Sequence, residues 1–137
     1  MPDWVTRNIN EFKTLNPAYQ IMIHGEDTLL PQFKKAYEKC LHVASKSDLI
    51  RYSALKKFGG WYFDTDFWPF RPIDDIVSAY DLDGYRLLIS RQQGNHNPKN
   101  IYANAPLAVS DESYAIDELI NMALRVDSIS RNAYGPN

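Results

Sequence analysis

Twelve residues, GGWYFDTDFWPF at positions 59–70, constrain this chain more than any other stretch. Gly59 and Gly60 stop a helix arriving from upstream, and the aromatic run behind them asks for burial. Asp64 and Asp66 then place two carboxylates one residue apart, before Pro69 and Pro72 end any continuing strand. The near-continuous apolar character of WYFDTDFW predicts a strand over 61–68 covered on both faces, with the carboxylates at its carboxyl end.

The segment that feeds this run, SKSDLIRYSALKKF at 45–58, is the clearest helix in the chain. Ser45 and Asp48 have capping-box spacing, with Asp in place of the usual Glu. Ile50, Ala54, Leu55 and Phe58 form the expected buried stripe, and Asp48 and Arg51 lie on a neighbouring face. Upstream, DWVTRNINEFKTL reads as a helix with Val5, Ile9 and Phe12 on one face, YQIMIHG as a short strand over 19–25, and PQFKKAYEKCL as a helix opened by Pro31, with Phe33, Tyr37, Cys40 and Leu41 on one face.

Downstream, IDDIVSAY predicts a short helix, YRLLIS a strand, RQQGNHNPKN a polar loop over 91–100, and IYANAPLAVS a strand made irregular by Pro106. DESYAIDELINMALRV carries Ile116, Leu119, Ile120, Ala123 and Leu124 at helical spacing, with Asp111 and Glu112 suited to its N-terminus. Strands alternate with helices, so the pattern predicts an α/β sandwich with a mostly parallel central sheet flanked by helices. At 137 residues the chain is expected to form a single domain.

Several function classes are disfavoured by totals alone. A net charge of -2, with basic residues clustered only in pairs such as Lys34-Lys35 and Lys56-Lys57, leaves no footprint for nucleic acid. The single Cys40 rules out an internal disulfide, and no Cys/His spacing suggests zinc. Cys40 reads as a small core residue, and His24 and His42 as structural. No run approaches the roughly 18 apolar residues that span a bilayer, and the start lacks a signal-peptide core, so the expected location is cytoplasmic.

In a parallel α/β sheet, ligands gather at the carboxyl ends of the strands, where Asp64 and Asp66 are expected. Period-2 alternation would point Tyr62, Asp64 and Asp66 the same way. Two carboxylates sharing a face repel each other unless a cation joins them, and hard oxygen ligands suit Mn²⁺ or Mg²⁺, with water and phosphate oxygens completing the shell. A D-x-D triplet alone also occurs in loops, where Asp caps turns; here the apolar approach, the double glycine and the Asp48–Arg51 pair upstream favour the metal reading.

The stretch KSDLIRYSALKKFGGWYFDTDFWPFRPIDD, residues 46–75, resembles the sugar-binding region of DXD-containing glycosyltransferases of family 32. The pattern S-D-x-x-R-x-x-x-L-x-x-x-G-G-x-Y-x-D-x-D is met at Ser47, Asp48, Arg51, Leu55, Gly59, Gly60, Tyr62, Asp64 and Asp66. NEFKTLNPAYQIMIHGED upstream, and more weakly NIYANAPLAVSDES and YGPN downstream, are similar to further family segments. The resemblance implies a reduced GT-A (Rossmann-like) fold and transfer of a sugar from a UDP- or GDP-sugar, with retention at the anomeric carbon. It assigns Asp66 to the metal, Asp64 to the metal and to the ribose or donor sugar, and Asp48 and Arg51 to sugar hydroxyls, with Gly60 and Tyr62 as further donor contacts. Arg51 could also meet phosphate.

Asn104 either reaches the sugar near the anomeric carbon or satisfies backbone groups beside Pro106. His96 either approaches phosphate or acceptor from its loop or is an ordinary solvated histidine, and Gly135 and Pro136 either close the site or fray. For Asp48 the alternative is a helix cap, and for Arg51 a surface ion pair. The resemblance also implies a first strand of the form I-P-K-x-I-H-Q-x-W and a larger C-terminal part, both absent here. The expectation is therefore a minimal transferase that hydrolyses its donor, serves a small or glycan acceptor, or completes its site with a partner chain or a second copy. A binding module without turnover and a metal-dependent phosphohydrolase are the competing classes.

Overall fold

The computed structural model describes residues 1–82, 84–92, 101–110 and 113–125, with side chains of 91–92 and 101–104 left aside. The protein is mixed α/β and divides into two compact units: Met1–Ile23 with Phe63–Tyr85, and His24–Tyr62 with the residues from Arg86 onward. In chain order it forms α1 (Asp3–Leu15), α2 (Lys34–Lys39), α3 (Val43–Phe58), β1 (Gly60–Tyr62), α4 (Ile73–Ala79), β2 (Leu87–Gln92), β3 (Ile101–Val109) and α5 (Ala115–Arg125). The helices fall close to where the apolar periodicity puts them, because a 3.6-residue period is a local signal.

The second unit holds the sheet, in the order β1-β3-β2, and both ladders are antiparallel. This corrects the mostly parallel sheet expected of a reduced GT-A sandwich. Only residues 93–100 join β2 to β3, and a parallel crossover needs about a dozen residues or more, whereas an antiparallel return does not. β3 is the central strand, and Leu107, Ala108 and Val109 are buried in succession, so the covered strand is β3 rather than the aromatic run at 61–68. The Pro106 irregularity is present: pairing slips between Ile89, opposite Leu107, and Ser90, opposite Ala103. A proline has no N–H for the ladder, and Pro106 lies in the stretch that is skipped.

The same proline bounds β1. Tyr62 pairs with Leu107, and the next position along β3 is Pro106, which has no donor to give. The expected strand over 61–68 is thus three residues long and ends before Asp64. The expected strand over 19–25 does not form: Met22 and Ile23 are exposed, so no face of the segment gains by pairing.

α3 is the axis of the second unit and packs against α2, α5, β1 and β3. Residues 51–55 are buried all round the helix, and Ser45 and Leu49 extend the covered surface toward its N-terminus. Neither Ile50 nor Phe58 is buried as the predicted stripe required, and Phe58 is exposed. The predicted capping box is also absent: the helix opens at His42–Val43, so Ser45 is already inside it. Phe33, Cys40, Leu49, Tyr52, Leu55, Leu107, Val109, Ile116 and Ile120 form one core cluster, which bears out Cys40 as a core residue. Leu41 and Leu124 are exposed, against expectation.

The passage from α3 to β1 needs glycine twice. Gly59 has φ 63° and ψ -155°, and its N–H donates to Leu55 O at 2.9 Å; Gly60 follows at φ 76°. No other residue type reaches the Gly59 conformation without strain. Gly59→Ala is expected to lower unfolding free energy by about 1–3 kcal/mol, read from the urea midpoint at constant slope.

His24 stacks on Phe58, with ring centroids 5.4 Å apart, and its Nδ1 lies 3.2 Å from Thr28 Oγ1. Burial pushes its pKa below the ordinary 6.5; Asp27 opposes this shift and Lys57 adds to it. The folded state therefore prefers the neutral ring, so this contribution is complete above the unfolded value and is lost as pH falls through the folded one. Melting temperature should drop between about pH 7 and pH 5 more steeply in the unmodified chain than in His24→Phe. Parallel profiles would contradict the assignment.

Candidate functional site

In the first unit, the predicted carboxylates sit on a turn rather than along a strand. The Phe67 N–H donates to Asp64 O at 3.0 Å, closing a four-residue turn over Asp64–Phe67. The shared face expected for Tyr62, Asp64 and Asp66 depended on strand alternation, which stops at Tyr62. The turn serves the carboxylates better than a strand would, since Asp66 is exposed and Asp64 half-buried, and neither carries the desolvation cost of a core position.

A helix holds this turn from behind. Asn8 of α1 donates its Nδ2 hydrogens to Thr65 O at 2.9 Å and to Phe67 O, the carbonyls on either side of Asp66. Phe12 of α1 packs on Phe63 at 5.0 Å between ring centroids, and Phe63 on Phe67 at 5.9 Å. Further along, Asn16 Oδ1 accepts from the Ile73 N–H at 2.7 Å at the start of α4, and the Tyr19 hydroxyl donates to Asp74 Oδ1 at 2.5 Å. That bond holds the Tyr19 phenol pKa above its ordinary value of 10.0, with burial and the Asp74 charge adding to the effect.

Sequence reasoning missed Asn8 and Asn16. The signal was there: at four-residue spacing with Phe12, Asn8 interrupts the apolar stripe of α1, a place where a polar side chain is kept when it has a backbone group to satisfy.

In the second unit, Arg51 and Asp48 form an ion pair on α3, with Nη1 donating to Oδ1 at 2.7 Å. The Arg51 side chain is 5% exposed and that of Asp48 22%. The guanidinium carbon lies 5.0 Å from the centre of the Tyr62 ring, so the cation is held between a carboxylate and a π face. Asp48 is not a helix cap, since it lies well inside a helix that opens at Val43, and the ion pair weighed for Arg51 does form, although buried rather than on the surface.

The structure thus brings together Asp48, Arg51 and Tyr62 in one unit, and Asp64 and Asp66 in the other. Gly60 opens β1 and is exposed. Asn104 belongs to β3, with nothing described of its side chain, and His96, Gly135 and Pro136 lie outside the described residues. A cavity of about 220 Å³ at the C-terminal end of α3, lined by residues including Lys57, Gly59, Ser110 and Ser113, contains none of the residues assigned to chemistry.

Among the described residues no cluster of three or more His, Cys, Asp or Glu could hold a metal. Two hard oxygen donors on an accessible turn nevertheless fit Mn²⁺ or Mg²⁺, which readily keep waters and take phosphate oxygens for their remaining positions. No helix among the described residues is long and apolar enough to cross a membrane.

Arg51→Ala should lower unfolding free energy by about 2–4 kcal/mol, because it takes a buried cation from beside the Asp48 carboxylate and from over Tyr62; the partial hydration of Asp48 keeps the loss below that of a fully buried pair. Urea unfolding of the variant against the unmodified chain measures it.

Compared with known proteins, residues 2–83 match the sequence model for a glycosyltransferase sugar-binding region containing a DXD motif, which is more than half of the chain. Neither a curated protein nor a solved structure matches it.

Proposed function

Because the chain belongs to the family of glycosyltransferase sugar-binding regions containing a DXD motif, we propose that it is a metal-dependent glycosyltransferase acting on a UDP- or GDP-sugar, with retention at the anomeric carbon. The observation that carries the reading is the Asp64–Phe67 turn, a main-chain loop fixed from behind that carries an exposed Asp66 and a half-buried Asp64 one residue apart.

In this reading Asp66 and Asp64 hold Mn²⁺ or Mg²⁺, and Asp64 also meets the ribose or the donor sugar. When bound, the cation supplies charge stabilisation for a departing nucleoside diphosphate. Asp48 accepts hydrogen bonds from sugar hydroxyls, and Arg51 fixes the Asp48 carboxylate. Held at 2.7 Å and stacked against Tyr62, the pair is ordered before substrate arrives, so little further side-chain entropy is lost on binding. Gly60, Asn104 and His96 are carried as secondary donor contacts. The acceptor is a glycan or a small molecule, and a partner chain or a second copy is the proposed source of whatever the acceptor side still needs.

Thermal shift tests this reading. Mn²⁺ together with a UDP- or GDP-sugar should raise the melting temperature, with about 2.7 kcal/mol of stabilisation at a hundred times the dissociation constant. Asp66→Ala should abolish the shift. An equal shift without metal, or in the variant, would contradict the metal role. Binding of the donor with no product released in the presence of varied acceptors would leave a binding module in place of a transferase, and cleavage of simple phosphate esters would point to a phosphohydrolase.

A further inference from the structure

We propose that Asn8 is a positioning residue for the Asp64–Asp66 metal turn, a role that rests on the metal reading of that turn. The Asn8 amide is 2% exposed and gives one hydrogen to Thr65 O at 2.9 Å and the other to Phe67 O. These carbonyls bracket Asp66: one precedes its peptide nitrogen and the other belongs to the residue that follows. With Phe67 N–H bonded to Asp64 O at 3.0 Å, the backbone is fixed on both sides of Asp66 while its carboxylate stays exposed.

Asparagine is suited to this task by its donor count. One terminal NH₂ supplies two hydrogens in a plane, enough for two carbonyls separated by a single residue. Aspartate would set acceptors against acceptors, and leucine would fill the space and answer neither carbonyl. The opposite side of the amide points the same way. Asn8 Oδ1 is buried and has no hydrogen-bond partner among the described residues, a burden that an apolar residue at the same helical position would not carry. A side chain serving only to pack α1 has no reason to bear it, whereas one serving to hold the turn does. The far end of the segment is held from the residue that caps the same helix, Asn16, through the Ile73 N–H.

Asn8 touches neither metal nor donor in this account; it acts through the main chain around Asp66. Supporting groups of this kind typically change metal affinity about ten- to a hundredfold when lost. The test compares the unmodified full chain, Asn8→Leu and Val5→Ala, the last a cavity variant on the same helix that leaves the amide in place. Mn²⁺ binding in the presence of UDP or GDP is read by electron paramagnetic resonance of the free ion, and exchange of the Phe67 amide hydrogen is followed alongside.

Asn8→Leu should weaken Mn²⁺ binding at least about tenfold and speed exchange at Phe67. Val5→Ala should keep both near the unmodified values even if its melting temperature falls as far. Equal Mn²⁺ affinity in Asn8→Leu and the unmodified chain would overturn the positioning role. If the unmodified chain binds no Mn²⁺ with either nucleotide, the metal reading fails and the metal part of this role fails with it. The clamp is then judged by exchange alone, and unchanged exchange at Phe67 in Asn8→Leu would overturn it.

Discussion

Two peptide carbonyls, Thr65 O and Phe67 O, are answered where the chain turns by one donor on a helix 57 and 59 residues earlier in sequence. The organisation of the first unit follows from that requirement. Phe12 on α1 and Asn16 just past its end repeat the contact, one packing on Phe63 and the other taking the Ile73 amide, so the helix and its C-terminal cap serve as a template for the segment between the end of β1 and the start of α4. An isolated turn carrying two carboxylates would sample many conformers, since like charges one residue apart favour none that brings them together. Backbone clamping restricts the turn through its main-chain carbonyls, and Asp66 stays exposed.

The second unit solves a different problem, the burial of a cation. Arg51 is nearly inaccessible, and burying a guanidinium requires a charged partner and further contacts. Asp48, one turn before it on α3, supplies the charge, and Tyr62, at the end of β1, supplies the π face. Tyr62 reaches its place because Gly59 and Gly60 turn the chain sharply out of α3 into the ladder with β3. The motif spacing from Asp48 to Tyr62 thus records a single arrangement: a helix, a two-glycine reversal and a short strand that returns its last aromatic ring to the helix it came from.

Helices were legible in the sequence because their signal is carried by neighbours three and four residues apart: α1, α3 and α4 begin and end near the positions read from apolar spacing and punctuation, and α5 falls within the segment read as the last helix. Strand direction was not legible. The alternation of strand and helix suggested a parallel sheet, yet β2 and β3 return on each other through a connection too short for a crossover, and β1 stops where β3 offers Pro106. The aromatic run at 61–68 imitated a covered strand, although its aromatic rings at 63 and 67 pack around a turn. For the site, the residue types were readable and their setting was not: Arg51, expected at sugar hydroxyls or in a surface ion pair, is buried, while Asn8, singled out by no motif, holds the turn.

These features make the Asp64–Phe67 turn central, as the place where the family's D-x-D motif, a fixed main chain and the exposed Asp66 coincide. Paramagnetic line broadening tests that most directly. With substoichiometric Mn²⁺ and UDP or GDP added to the nitrogen-15-labelled protein, the amide resonances of Thr65, Asp66 and Phe67 should broaden first and most strongly. Broadening centred on another acidic stretch, such as Glu26–Asp27 or Asp74–Asp75, or spread evenly over the surface, would contradict it.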